Sequence, residues 1–225
     1  MSELERIRVL IVDDQELMRS ALRMMVESQP DLILAGEAAD GHEAVAMVRS
    51  HRIDVALMDI RMPKLDGIQA TATITAEQPS CRVIVLTTFD LDDYAFSAIR
   101  AGASGFLLKD ARSEEIVDAV RTVHAGHGVI APSTTRRLIE HVAELPNADS
   151  GRAAEVRATL TPRELDTFLE IATGDTNREI AMRLHLSEAT IKTHVGHVLT
   201  KLCLRDRVQA VVLAYESGLV GPSHR

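Results

Sequence analysis

Five times within residues 1–125 an apolar run ends on a polar or charged residue and gives way to apolar residues at helical spacing. Residues 7–12 stop at Asp13 and Asp14, after which Leu17, Met18, Ala21, Leu22, Met25 and Val26 mark a helix. A strand near 32–37, a turn at Asp40 and Gly41 and a helix carrying Ala44, Val45 and Val48 follow. The third run starts at Ile53 and ends on Asp59, with a turn through Pro63, Asp66 and Gly67 and a helix to about Gln78. Residues 82–88 form the fourth strand and Asp92 to Ala101 the next helix; residues 105–109 form the fifth strand, and a helix from Ser113, its N-cap, runs to Val123. Strands joined by helices in this way pair in parallel, so the first part of the chain is expected to be α/β: a doubly wound five-stranded parallel sheet with helices on both faces. No glycine-rich phosphate loop interrupts it, which speaks against a nucleotide-binding domain.

In such a sheet the carboxyl ends of the strands converge on a crevice that the helices leave uncovered. The residues at those ends are Asp13 and Asp14, Asp59, Thr87 and Lys109. Three carboxylates in one crevice repel unless a cation joins them, and all-oxygen ligation suits Mg2+. A carboxylate can then attack phosphorus to give an acyl phosphate, with metal and lysine neutralising the transferred group. Asp59 is the expected acceptor, Lys109 the neutralising cation, and Thr87 a hydroxyl donor to the phosphoryl oxygens. Singly, each has a structural reading: turn former, helix cap, strand end or surface lysine.

The rest of the composition narrows the class. No apolar run approaches the length of a membrane span and the first residues do not read as a signal peptide, so a cytoplasmic protein is expected. Cys81 and Cys203 lie far apart and form no CxxC pair, so neither a zinc site nor a disulfide framework is suggested. Residues 1–125 hold 13 Lys and Arg against 21 Asp and Glu, whereas residues 159–225 hold 8 against 8; all the excess acid sits in the first part, which indicates two units with different partners.

The set Asp13, Asp14, Met58, Asp59, Met62, Pro63, Asp66, Gly67, Leu86, Thr87, Thr88, Leu107, Leu108 and Lys109 resembles the motifs of a response-regulator receiver domain, flavodoxin-like in fold, over about residues 7–125. The resemblance implies phosphorylation of Asp59 by a sensor histidine kinase. It implies Mg2+ held by Asp14, Asp59 and the main-chain carbonyl of Arg61 with Asp13 assisting, and phosphate sensing by Thr87, Thr88 and Lys109. Phe106 falls where the family carries an aromatic that swings with the threonine; the alternative is a core phenylalanine in a buried strand.

Residues 126–158 read as a linker: Gly126 and Gly128 close the first domain, one amphipathic helix runs from Thr134 to Glu144, and turn formers occupy 146–151. From Leu160 only helical periodicity remains. Thr161, Pro162 and Glu164 form a capping box opening a helix to about Ala172; Asn177 to Leu184 is a second helix; a turn at His185 and Leu186 leads to a third, capped by Ser187 and running from Glu188 to about Leu202. Two short helices joined by a tight turn match helix-turn-helix geometry, whose second helix enters the DNA major groove. At 100° per residue Ile191, Val195, Val198, Leu199 and Leu202 form the core side of the third helix. Ala189, Lys192, Thr193, Gly196, His197 and Thr200, with Glu188 at its start, form the candidate groove face.

Leu160, Thr161, Pro162, Arg163, Glu164, Leu165, residues 177–181, Leu186, Ser187 and residues 190–195 resemble the LuxR-type DNA-binding domain, over about 159–221. Both halves together resemble a NarL/FixJ-type regulator, a transcription factor controlled by phosphorylation. That implies double-stranded DNA, a homodimer formed on phosphorylation and RNA polymerase as partners, with Val208, Val211, Val212 and Tyr215 on the last helix, about 206–217, as the dimer contact. Cys203 departs from the pattern, since many relatives carry Gly or Asn there; in a left-handed position Cys is mildly strained. Two other classes fit the sequence less well. A haloacid dehalogenase-type hydrolase needs an acid two residues after the nucleophile, where Arg61 stands, and a helical end that binds protein instead of DNA would leave a gel shift negative.

Overall fold

The computed structural model describes residues 6–87, 97–130, 150–173 and 175–220. The chain separates into two compact units, residues 1–131 and 132–225. Thr88, most of the helix expected over 92–101, and the helix expected over 134–144 lie outside the described residues; of the first helix, residues 97–100 are helical.

In the first unit the strands are β1 (Ile7–Val12), β2 (Leu32–Ala38), β3 (Val55–Asp59), β4 (Arg82–Thr87), β5 (Gly105–Leu108) and a two-residue β6 (Val129–Ile130). They pair in parallel in the order β2-β1-β3-β4-β5-β6. The sheet is thus the expected five-stranded one with a short sixth strand at its edge, started by Val129 N–H donating to the Ser104 carbonyl at 3.0 Å. Nothing in the Gly-His-Gly sequence before it signals a strand, because pairing there depends on a neighbour over 20 residues away.

Alternation along the central strands explains why both faces are apolar. Leu10, Val12, Ala56, Met58, Val83 and Val85 belong to one core, completed by Ala44, Val45 and Val48 of α2 (Gly41–Ser50) and by Ala70 and Ile74 of α3 (Gly67–Glu77). Val9, Ile11, Val55, Leu57, Ile84 and Leu86 belong to the other, completed by α1 (Glu16–Glu27) and α4 (Ser113–His124) through Leu22, Val26, Ile116 and Val120. A strand buried on both sides must be apolar at consecutive positions, which is why these runs are continuous. Helix α4 starts one residue earlier than expected: Arg112 is its N-cap and Ser113 its first residue, with no side-chain cap bond.

The second unit is helical: α5 (Ser150–Thr159), α6 (Pro162–Ala172), α7 (Asn177–Leu184), α8 (Glu188–Lys201) and α9 (Arg207–Glu216). Helix α5 falls where the sequence reads as linker and turn. The caps are local and strong in kind. Thr161 and Glu164 form a capping box on α6, Thr176 and Glu179 form another on α7, and Ser187 and Asp206 cap α8 and α9 through their side chains. Helix α6 packs against both α8 and α9.

Glu164 joins α6 to α8. It is 5% exposed, its Oε2 lies 2.6 Å from Lys201 Nζ, and it also accepts from the Thr161 N–H and hydroxyl. The Lys201 ammonium foremost, with those two donors, pulls its carboxyl from the ordinary 4.5 down to about 2. A carboxyl depressed in the folded state stabilises it above its ordinary value, and that contribution is lost as pH falls through the folded one. We therefore predict that the stability difference between the native chain and Glu164→Gln, which keeps the cap but not the charge pair, shrinks as pH drops from 4.5 towards 2, read by amide exchange in α6 and α8.

Helix α8 ends with Cys203 at φ 54°. Its N–H donates to the Thr200 carbonyl at 3.2 Å and the Leu204 N–H to the Leu199 carbonyl at 2.8 Å, the paired bonds of a Schellman end. The left-handed residue there is one that glycine occupies without a Cβ penalty. Cys203→Gly should stabilise the second unit by about 1 kcal/mol, measured in the denaturant midpoint of the whole chain followed by signals from α8.

Candidate functional site

The sheet order reverses between β1 and β3: β1 continues outward to β2, and β3 continues the other way to β4 and β5. The crevice opened there collects the ends of adjacent strands. Asp13 follows β1, Asp59 is the last residue of β3, Thr87 the last of β4, and Lys109 follows β5, its N–H donating to the Thr87 carbonyl at 2.7 Å. Register makes these ends level, because Val12 pairs with Met58, Asp59 with Leu86 and Thr87 with Leu108.

Asp13, Asp59, Thr87 and the Lys109 side chain are all buried, whereas Asp14 is exposed. Lys109 Nζ stands 2.5 Å from Asp13 Oδ2 and 2.9 Å from Asp59 Oδ2, so one ammonium is shared by two buried carboxylates. Carboxylate oxygens of Asp13, Asp14 and Asp59 lie within 4.8 Å of one another. Burial pushes the Asp59 carboxyl above its ordinary value; Lys109 opposes this and the neighbouring Asp13 adds to it. Asp13 Oδ1 accepts from the Gln15 N–H at 2.9 Å, while Asp13 Oδ2 is buried without an aligned hydrogen bond. The carboxylate excess over the single ammonium fits a hard dication with oxygen ligands. Asp14 and Arg61 border one groove with Met62, Pro63 and Asp66.

The backbone behind Asp59 dictates Gly67. A Cβ on Gly67 would stand 1.9 Å from the Asp59 carbonyl oxygen, and the Gly67 N–H donates to the Ile60 carbonyl at 2.9 Å. Only a residue without a side chain lets α3 begin so close to the end of β3. Asp66 caps α3 by accepting from the Gln69 N–H at 2.8 Å. Phe106 is 1% exposed, in the core that contains Val85, Ala98 and Ala103.

In the second unit the third helix divides largely as the angular reading expects, with Leu199 and Leu202 of the expected core side only partly buried. Ile191, Val195 and Val198 of α8 are buried, and Glu188, Ala189, Lys192, Thr193, Gly196, His197 and Thr200 are exposed. No heavy atom lies within 4 Å of where a Cβ on Gly196 would stand. His185 makes the turn between α7 and α8 at φ 54°, with the Leu186 N–H donating to the Ala181 carbonyl at 2.9 Å.

Val208, Val211, Val212 and Tyr215, expected as the dimer contact, are exposed by only 2, 4, 5 and 8% in the single chain. A stripe on an amphipathic helix looks the same whether its own chain or a second copy covers it. Sequence reading also missed the Glu164–Lys201 pair and an Asp40–Lys64 pair, since both join residues more than 20 positions apart that carry no motif.

Two family descriptions match the chain: a response regulator receiver domain over residues 9–121 and the luxR family of bacterial regulatory proteins over 158–214. An uncharacterised transcriptional regulatory protein of Bacillus subtilis, YxjL, is 39% identical over 216 residues, covering 96% of this chain and 98% of that protein. The response regulator VraR of Staphylococcus aureus is 37% identical over 214 residues, covering 95% and 99%. Among solved structures, the response regulator ChrA of a heme-sensing two-component system aligns with a TM-score of 0.51 at 33% identity, covering 96% of this chain and 100% of that one. A LuxR-family two-component response regulator from Aurantimonas aligns at 0.58 and 30% identity over 62% of this chain and 99% of that one. The chain belongs to the two-component response regulators that join a receiver domain to a LuxR-type DNA-binding domain.

Proposed function

We propose that Asp59 is phosphorylated by a sensor histidine kinase, and that the acyl phosphate promotes a homodimer that binds operator DNA and acts with RNA polymerase. The observation that carries this reading is the Lys109 ammonium, at the end of β5, shared between Asp59 and Asp13 at the ends of the adjacent strands β3 and β1. An Asp59 carboxylate oxygen attacks the phosphorus of the kinase's phosphohistidine; the new P–O bond forms as the P–N bond breaks, and the imidazole leaves with the electron pair and takes up a proton. Asp14, Asp59 and the Arg61 carbonyl, with Asp13, would hold Mg2+, which when bound offsets the negative charge on the transferred group. Burial of Asp59 removes water that would compete for the phosphorus. Lys109 exchanges its Asp59 contact for one with a phosphoryl oxygen, and Thr87, with Thr88, supplies hydroxyl donors to the others. Phe106 starts from the core of β5 in this scheme, so its rotation would need an opening near Ala98 and Ala103.

For the second unit we read the exposed face of α8 as the groove face. Lys192 reaches a guanine edge or phosphate, Thr193, His197 and Thr200 offer hydrogen bonds, and Ala189 and Gly196 let the helix approach closely. With 8 basic and 8 acidic residues over 159–225 a single copy gathers few phosphate contacts, so firm binding needs two half-sites. Membership of the family supports a regulator over a hydrolase and DNA over a protein ligand.

Incubation with a small-molecule phosphodonor and Mg2+ should add one phosphoryl group to the native chain and none to Asp59→Asn, by intact-mass measurement; labelling of the variant would place the acceptor elsewhere. Lys192→Ala should weaken operator binding by about tenfold or more in a gel shift at fixed salt, with labelling unchanged.

A further inference from the structure

The loop of residues 60–66 carries the Arg61 carbonyl, and it is tied down from two directions. At its end the Gly67 N–H returns to the Ile60 carbonyl at 2.9 Å. From the side, the turn before α2 reaches across: the Gly41 N–H donates to the Leu65 carbonyl at 3.1 Å, and Asp40 Oδ2 meets Lys64 Nζ at 2.5 Å. A Cβ on Gly41 would stand 2.6 Å from the Leu65 carbonyl, so the two backbones are in direct contact. Asp40 is 2% exposed although charged, and the Lys64 ammonium, ahead of the backbone donors, holds its carboxyl below the ordinary range. Lys64 meanwhile takes a left-handed backbone at φ 66°, a conformation that a lysine adopts only when neighbours enforce it. Capping of α2 does not need this lysine: Asp40 Oδ1 already accepts from the Glu43 N–H at 3.0 Å, leaving Oδ2 for the loop.

We propose that Asp40 and Lys64 are positioning residues for the phosphorylation site: their ion pair clamps the 60–66 loop in the shape that keeps the Arg61 carbonyl beside Asp14, and so sets how tightly the site takes Mg2+. The proposal rests on the reading of Asp59, Asp14 and Arg61 given above. Neither residue touches the reacting atoms. The pair acts through a backbone whose other end is fixed at Gly67, so releasing it lets the carbonyl wander while the carboxylates stay in place on their strand ends.

Two substitutions separate the clamp from the cap. Asp40→Asn keeps an N-capping side chain, and Lys64→Asn tolerates the left-handed backbone; each removes the ion pair. Titration calorimetry of the whole chain with MgCl2 at constant ionic strength should show Mg2+ affinity lowered about tenfold in either variant, as loss of a site's supporting shell does, with the double variant no worse than the singles. Labelling by phosphodonor should need correspondingly more Mg2+ and reach the native rate once Mg2+ saturates. Affinity unchanged in both single variants, or losses that multiply in the double, would overturn the clamp. Calorimetry needs no phosphoryl transfer, so a native chain that bound Mg2+ yet took no label on Asp59 would count against the functional reading and not against this one.

Discussion

Two carboxylates cannot be buried side by side without a counter-charge, and here a single ammonium supplies it. Lys109 Nζ lies within 2.9 Å of oxygens from both Asp13 and Asp59. Three strands must end at the same level for that contact to exist, so the sheet's register and the site are one constraint seen twice. The arrangement is balanced incompletely, with Asp14 adding a further negative charge at the rim. Such a pocket is most stable when further positive charge enters it, and the family's chemistry brings a dication followed by an electrophilic phosphorus.

Much of this was legible in the chain. The continuous apolar runs and the polar residues that end them place Asp13, Asp59, Thr87 and Lys109 at strand ends from the sequence alone, because a doubly buried strand is apolar at consecutive positions. Two caps were equally legible, since Thr161 with Glu164 and Ser187 act over three residues and leave a local pattern, whereas Ser113 is not the cap of α4. Contacts made by distant residues were not. β6 is a strand only because β5 lies beside it, and Lys64 becomes a clamp only because Asp40 is delivered by another turn. The α9 stripe is ambiguous for a related reason: periodicity reports that a face is covered and is silent on what covers it.

The second unit is held by a comparable economy. Glu164 closes the cap of α6 and at the same time receives Lys201 from the end of α8, so the helix carrying the exposed face is anchored near its C-terminus, one turn beyond His197. Beyond that anchor the chain turns through Cys203 in a left-handed conformation and enters α9 under the Asp206 cap. The exposed face of α8 is therefore presented by a frame whose joints are short-range and polar, while the buried Ile191, Val195 and Val198 supply the apolar contact. In the proposed function its neutral charge balance leaves affinity for DNA dependent on the number of copies engaged.

Whether the chemistry at Asp59 controls that number is the central claim. The most direct test measures operator affinity and bound stoichiometry together, by sedimentation of labelled DNA at one fixed salt concentration, for native chain with Mg2+ in the presence and absence of phosphodonor. The account predicts weak binding of single copies without the donor, and tight binding of two copies per operator with it. Equal affinity and equal stoichiometry under both conditions would contradict it.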